Sequence, residues 1–153
     1  MAVVSGPNEG QIQRGYKAQA RFFHVINNFK GPKPGWLLEV QESAPHIDGR
    51  GIDGFAWVSL YLFFRRRIPL QLKSAKADMV DDIRANAPVY VHIPVDVRPE
   101  TLMDNLIARI EQARWTNFEP YIKGLEKSPI QKREEEKIRL IQKYRQKYRW
   151  QAQ

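Results

Sequence analysis

Between Ile52 and Ala75 the chain reads IDGFAWVSLYLFFRRRIPLQLKSA, two apolar runs rich in aromatic and β-branched residues around a cluster of arginines. Such runs favour strands. Strand side chains alternate between faces, so Gln71 and Lys73 point one way while Leu70 and Leu72 point the other. If 52–60 and 64–73 pair antiparallel with the turn near Leu62, Asp53 stands across from Gln71, with Cβ atoms roughly 5 Å apart. A carboxylate, an amide oxygen and an ammonium then share one small area. No Gly, Asn, Asp or Pro stands between Gly54 and Pro69, so this hairpin carries none of the usual turn chemistry.

The flanking segments give this pair its setting. Residues 9–29 read as a helix, with Ile12, Tyr16, Phe22 or Phe23, and Ile26 near helical spacing, Asn8 as a cap and KGPKPG as its end. WLLEVQES (36–43) reads as a strand and APHIDGRG as a polar connection. KADMVDDIRANA is weakly helical, PVYVHIPVDV (88–97) is a strand with Pro94 at an edge or bulge, and RPETLMDNLIARIEQARWTNF is a helix with Leu102, Leu106, Ile110 and Trp115 on its apolar face. Residues 119–129 read as a loop. The last stretch is a charged helix with a narrow stripe of Ile138, Ile141, Tyr144 and Tyr148. This order describes an α/β sandwich, divided into a body over 1–118 and a basic helical extension over 119–153.

Charge separates the two parts. From Lys127 onward nine Lys/Arg face three Glu, a net +6, leaving +2 of the total +8 for residues 1–126. A neutral body with a basic tail suits a polyanion, nucleic acid before an anionic membrane; solubility is the plainer explanation. With no cysteine, disulfides, thiolate zinc sites and cysteine nucleophiles are excluded. No apolar run approaches the roughly twenty residues of a membrane span, and MAVVSGPNEGQ lacks the pattern of a signal peptide. The expectation is a soluble cytoplasmic protein with no membrane partner.

The grouping of Asp53, Gln71 and Lys73 is what phosphodiester hydrolysis requires. A carboxylate can hold a divalent cation that polarises the phosphate, and a lysine can serve the attacking water or the developing phosphorane. GRGIDGF followed by IPLQLKSA resembles the PD-(D/E)XK nuclease superfamily, the restriction-endonuclease-like and Holliday-junction-resolvase-like fold, over roughly residues 9–115. The resemblance implies an αβββαβ restriction-endonuclease-like core, a mixed sheet flanked by helices, with the basic C-terminal helix added. It places Asp53 on the motif acid, Gln71 on the D/E position, Lys73 on the lysine and Ser74 on the small polar residue that often follows. It implies Mg²⁺ or Mn²⁺ held by Asp53, Gln71 and the Leu72 carbonyl, and a homodimer as one arrangement. Gln71 replaces an acid, and Gln19 stands where relatives carry Glu in an Ala-Glu pair. Glu9, Glu39, Glu42 and Asp48 are the acids that could make up the deficit.

Each residue also has a plainer role. Asp53 could cap the turn after Gly51, and Lys73 could be solvated at a strand end. His24, His46 and His92 are too scattered for a metal cluster or a nucleophilic triad, and GPKPG lacks phosphate-loop spacing. Arg50, Arg65, Arg66, Arg67, Ser74 and Lys76 suit a phosphate backbone, although the Arg65–Arg67 run also keeps a hairpin end soluble. In the tail, Lys143, Arg145, Lys147 and Arg149 interleave with Tyr144, Tyr148 and Trp150, as basic and aromatic residues do on single strands; packing on the body is the reading favoured for the Tyr stripe, phosphate contact for the charges. Three functions therefore stand: a metal-dependent endonuclease acting on DNA more readily than RNA, an inactive nucleic-acid-binding or assembly protein of the same fold, and an interaction protein whose tail helix binds another chain.

Overall fold

A computed structural model describes residues 9–61 and 63–152, with the side chains of 150–152 left aside. Asn8 and Leu62, and the side chain of Trp150, therefore lie outside the described residues. The order is α1 (Glu9–Asn27), β1 (Leu37–Glu42), α2 (Pro45–Asp48), β2 (Gly54–Tyr61), β3 (Phe64–Lys73), β4 (Val89–His92), α3 (Pro99–Ala113), α4 (Glu119–Lys127) and α5 (Lys132–Ala152). The four strands form one mixed sheet in the order β1-β2-β3-β4. The first three are antiparallel neighbours and β4 runs parallel to β3. Helices flank the sheet, making this an α/β protein.

The β2–β3 ladder pairs Gly54 with Leu70, Ala56 with Ile68 and Ser59 with Arg65, then shifts by one between Ser59 and Tyr61. At the other end the regular pairing stops at Gly54–Leu70. The Asp53 N–H donates to the Leu70 carbonyl and the Leu72 N–H to the Asp53 carboxyl, so Asp53 sits just beyond the ladder and is not paired with Gln71 as the sequence alone suggests. Ala56, Val58, Ile68, Leu70, Val89 and Val91 are buried and form the centre of a core shared with Phe22, Leu102, Leu106 and Ile110. Sheet and α1 approach closely at Gly54. A Cβ there would lie 2.6 Å from the Gln41 carbonyl oxygen and 2.7 Å from the Phe23 ring, so only glycine fits.

Several elements differ from the sequence-based expectation. KADMVDDIRANA forms only a single 3₁₀ turn at Lys76–Asp78 with no buried residue. Among the described residues its one apolar side chain packed against the core is the partly buried Ile83, too little to offset the cost of nucleating a short helix. The segment is instead tethered by Arg109, which donates to the carbonyls of Val80, Asp81 and Tyr90. The strand expected over 88–97 is confined to Val89–His92; Pro94 has no N–H to extend it, and Asp96 turns the chain with φ of 61°. Residues 119–127, expected as a loop, are helix α4. Pro120 sits in its first turn, where a missing N–H costs nothing, and fully buried Ile122 anchors it.

The connection APHIDGRG contains α2, and Trp115, expected on the apolar face of the long helix, lies beyond α3 and is 56% exposed. The boundary drawn at 118/119 crosses the core, since Phe118 and Ile122 belong to the same buried cluster. Helix α5 folds back across the body: Ile141, Tyr144 and Tyr148 are buried, and Tyr144 stacks on Tyr16 of α1 at 5.1 Å between ring centroids. No helix among the described residues is long and apolar enough to cross a membrane.

Candidate functional site

The site is built where β1, α2 and β2 meet. Pro45 starts the single turn of α2, and Gly51, at φ 98°, reverses the chain behind it. Only glycine takes that conformation readily. The reversal lets the Ile52 N–H reach back to the Ile47 carbonyl at 3.4 Å and brings Asp53 into the sheet. There the Asp53 N–H donates to the Leu70 carbonyl at 2.8 Å, while its own carbonyl accepts from the Ser43 N–H at 3.0 Å. Ser43 Oγ donates to the Ile52 carbonyl. Asp53 is thus held from both sides by main chain before its side chain makes any contact.

Its carboxyl accepts the Leu72 N–H at 2.7 Å and is only 2% exposed. Asp48, at the end of α2, is 7% exposed and lies beside it. Burial first, then the negative charge of Asp48, then a hydrogen bond between the two carboxyl groups raise the Asp53 pKa well above the ordinary carboxylate value; the Leu72 N–H and the charge of Lys73 oppose the rise without cancelling it. The same environment acts on Tyr16 of α1. Burial and the charges of Asp48 and Asp53 push its hydroxyl up to about 12, against a smaller lowering by Arg145. Tyr16 therefore remains a proton donor at physiological pH.

Gln71 and Lys73 are half-buried on β3. The Gln71 amide oxygen lies beside the Gly51 turn, 3.6 Å from where a Cβ on Gly51 would stand. The Lys73 ammonium is 6.0 Å from the centroid of the Tyr90 ring and close enough for its charge to act on Asp53. The fold therefore gathers Asp53, Gln71 and Lys73 around one end of the β2–β3 pair, with Asp48 as an additional carboxyl. Of the other acids considered, Glu42 sits at the end of β1 facing α5, Glu39 accepts from Gln41 on the surface, and Glu9 is exposed at the start of α1. Gln19 lines a groove between α1 and α5, with a volume of about 300 Å³, together with Tyr16, His24, Glu42, Arg145 and Arg149. Asp53, Gln71 and Lys73 are not among its lining residues.

Arg145 separates that groove from the buried acids. Its guanidinium donates to Asp48 Oδ2 at 2.6 Å and to the Ser43 carbonyl at 2.5 Å, and its Nε lies 3.5 Å from Glu42. The Nε itself is buried without a hydrogen-bond partner. Nothing in the sequence links Arg145 to Asp48, 97 residues earlier; only the folding back of α5 joins them.

The remaining basic residues fall into two groups. Arg50, Arg67 and Arg145 are engaged internally. Arg50 donates to the carbonyls of Leu125, Ser128 and Pro129 and pairs with Glu134 at 2.8 Å. Arg67 bonds Glu119 and Glu126, which raise its pKa despite the opposing effect of burial, while the hydrogen bond from Arg67 holds Glu126 below its usual value. Arg65, Lys76, Lys143, Lys147 and Arg149 are exposed, Arg66 is half-exposed, and the half-buried Ser74 offers its carbonyl to the His92 ring at 3.3 Å. Arg149 still reaches Glu42 at 3.3 Å.

No family model matches this chain, and comparison with the curated proteins and the solved structures finds no match.

Proposed function

We propose that this protein is a metal-dependent nuclease that hydrolyses phosphodiester bonds, with DNA as the first substrate to test. The observation that carries the reading is the Asp53 carboxyl, buried against Asp48 at the strand ends that also carry Gln71 and Lys73. Two neighbouring carboxyls without water around them are costly to ionise. A grouping of this kind beside a lysine is a hallmark of chemical sites.

The donor set fits a hard divalent cation. Asp53, the Gln71 amide oxygen and the Leu72 carbonyl would hold Mg²⁺ or Mn²⁺, with Asp48 as the adjacent second carboxyl, all being oxygen donors. When bound, such an ion polarises the scissile phosphate and lowers the pKa of a coordinated water. Lys73 contributes a fixed positive charge to the attacking water or to charge developing on phosphorus. Tyr16, kept protonated by burial and the neighbouring carboxyls, does not act as a base. This reading assigns the phosphate backbone to Arg65, Arg66, Ser74, Lys76, Lys143 and Lys147, and the exposure of Arg65, Lys76, Lys143 and Lys147 supports it; Arg50 and Arg67 are taken up by internal partners.

The test is Mg²⁺- or Mn²⁺-dependent nicking of supercoiled plasmid. Asp53→Asn and Lys73→Ala should abolish it while far-ultraviolet circular dichroism stays unchanged, and Gln71→Glu should tighten metal binding measured by calorimetry. One feature favours a second reading, a catalytically silent nucleic-acid-binding or assembly protein: Asp53 is 2% exposed and Arg145 already neutralises Asp48. Salt-sensitive DNA binding with no cleavage by the wild type, or by Gln71→Glu, would select it.

A further inference from the structure

At the far end of the β2–β3 pair the chain exposes aromatic rings that the core does not use. Phe63 is 96% exposed, Tyr61 70%, Trp115 56% and Phe64 54%. Tyr61 and Trp115 have ring centroids 5.7 Å apart, Arg66 ties the two segments by donating to the Trp115 carbonyl at 2.9 Å, and Phe63 and Phe64 belong to the same end of the hairpin. A cluster of this kind is costly to leave in water and marks a contact surface.

Its charges narrow the partner. The Arg66 guanidinium lies 5.9 Å from the Phe64 ring centroid, and Arg114 sits between the rings of Trp36 and Trp115 at 4.9 and 5.1 Å. Arg65 is exposed beside them. None of Arg65, Arg66 and Arg114 forms an ion pair with a carboxylate among the described residues. The acids that reach β3 from α4, Glu119 and Glu126, are both taken by Arg67. The surface thus combines open π faces with guanidinium charge that no carboxylate neutralises.

We infer that this patch is a binding platform for unpaired nucleotides, the exposed rings stacking on bases while Arg65 and Arg66 meet phosphates and Arg114, held by the Ser59 carbonyl, braces the Trp115 ring. A duplex would offer phosphates but hide its base faces, and an apolar protein surface would bring no counter-charge to Arg65 and Arg66. The inference rests on the nucleic-acid partner of the proposed function and deepens it by naming single-stranded character in the substrate. Eight residues of β2 separate the patch from Asp53, roughly 27 Å at strand rise. A substrate that occupies both must extend over that distance.

The experiment is fluorescence anisotropy of a labelled oligothymidine and of a blunt duplex with the full chain, comparing wild type with Phe63→Ala/Trp115→Ala, alongside Mg²⁺-dependent plasmid nicking by both. Both aromatic positions are exposed, and circular dichroism checks that the fold is retained. The expected result is a loss of about tenfold or more in single-strand affinity for the aromatic double variant, with duplex binding little changed. Single-strand affinity unchanged by the double variant overturns the inference. So does a patch-dependent association with anionic vesicles, or with a second copy in sedimentation, while oligothymidine is not bound. Patch-dependent single-strand binding without any metal-dependent cleavage supports the platform and removes the nuclease; cleavage with aromatic-independent binding does the reverse.

Discussion

Asp53 illustrates how one residue can be fixed by its backbone and destabilised by its side chain. Main-chain bonds to Leu70 and Ser43 hold it in the sheet, and the fold then buries its carboxyl beside a second one. Its raised pKa sets a sign for pH dependence. Between the ordinary carboxylate value, about 3.9, and the raised folded value, the native state keeps a proton that the unfolded chain has released. Stability is therefore greatest below that window, falls as pH rises through it and levels off above the folded pKa. Asn keeps an oxygen for the Leu72 N–H but has no proton to lose. Thermal melts should show Asp53→Asn above wild type at pH 8, with the gap closing as pH falls towards 4. An equal gap at both pH values would mean that the Asp53 carboxyl is not held protonated by the fold.

At the scale of elements, α5 decides how open the site is. Its apolar stripe docks on α1 through the Tyr144–Tyr16 stack, and this places Arg145 on Asp48. Removing one partner of such a buried pair costs about 3–5 kcal/mol because the other charge is stranded. Arg145→Ala should therefore lower the unfolding free energy in urea by that order, and adding Asp48→Asn should restore much of the loss. A strictly additive double variant would show that the pair is not coupled. If the site takes a cation, Arg145→Ala should also tighten Mn²⁺ binding, since the guanidinium no longer competes for Asp48.

Across the whole molecule, Arg50 ties the site region to the C-terminal helices. Its side chain is 9% exposed, and it spans from the turn before β2 to α4, the α4–α5 junction and Glu134. Arg50→Ala should loosen that junction first. Limited proteolysis near residues 128–132 should accelerate well before the far-ultraviolet melt shifts in proportion. Cleavage that merely tracks global unfolding would show that the junction is not held by Arg50.

Local signals were sufficient for much of this architecture. Strand alternation placed Gln71 and Lys73 on one face, whereas the regular β2–β3 pairing stops at Gly54–Leu70 and Asp53 is held beyond it by the Leu70 carbonyl and the Leu72 N–H. The apolar spacing of α1 and α3 was readable because a helix face buried against a sheet must repeat near 3.6 residues. α4 was not readable, since Pro120 and Gly124 resemble loop residues until burial of Ile122 outweighs them. The 75–87 segment failed in the opposite sense, with helical composition but, among the described residues, only Ile83 packed against the core. The pairing of Arg145 with Asp48, the diversion of Arg50 and Arg67 from solvent to internal acids, and the meeting of Tyr61 with Trp115 join residues tens of positions apart. Sequence periodicity determined which way side chains point within an element, because that is set by backbone geometry alone. Tertiary structure decided which charges are neutralised and which rings stay in water, because those depend on what the chain brings back from a distance.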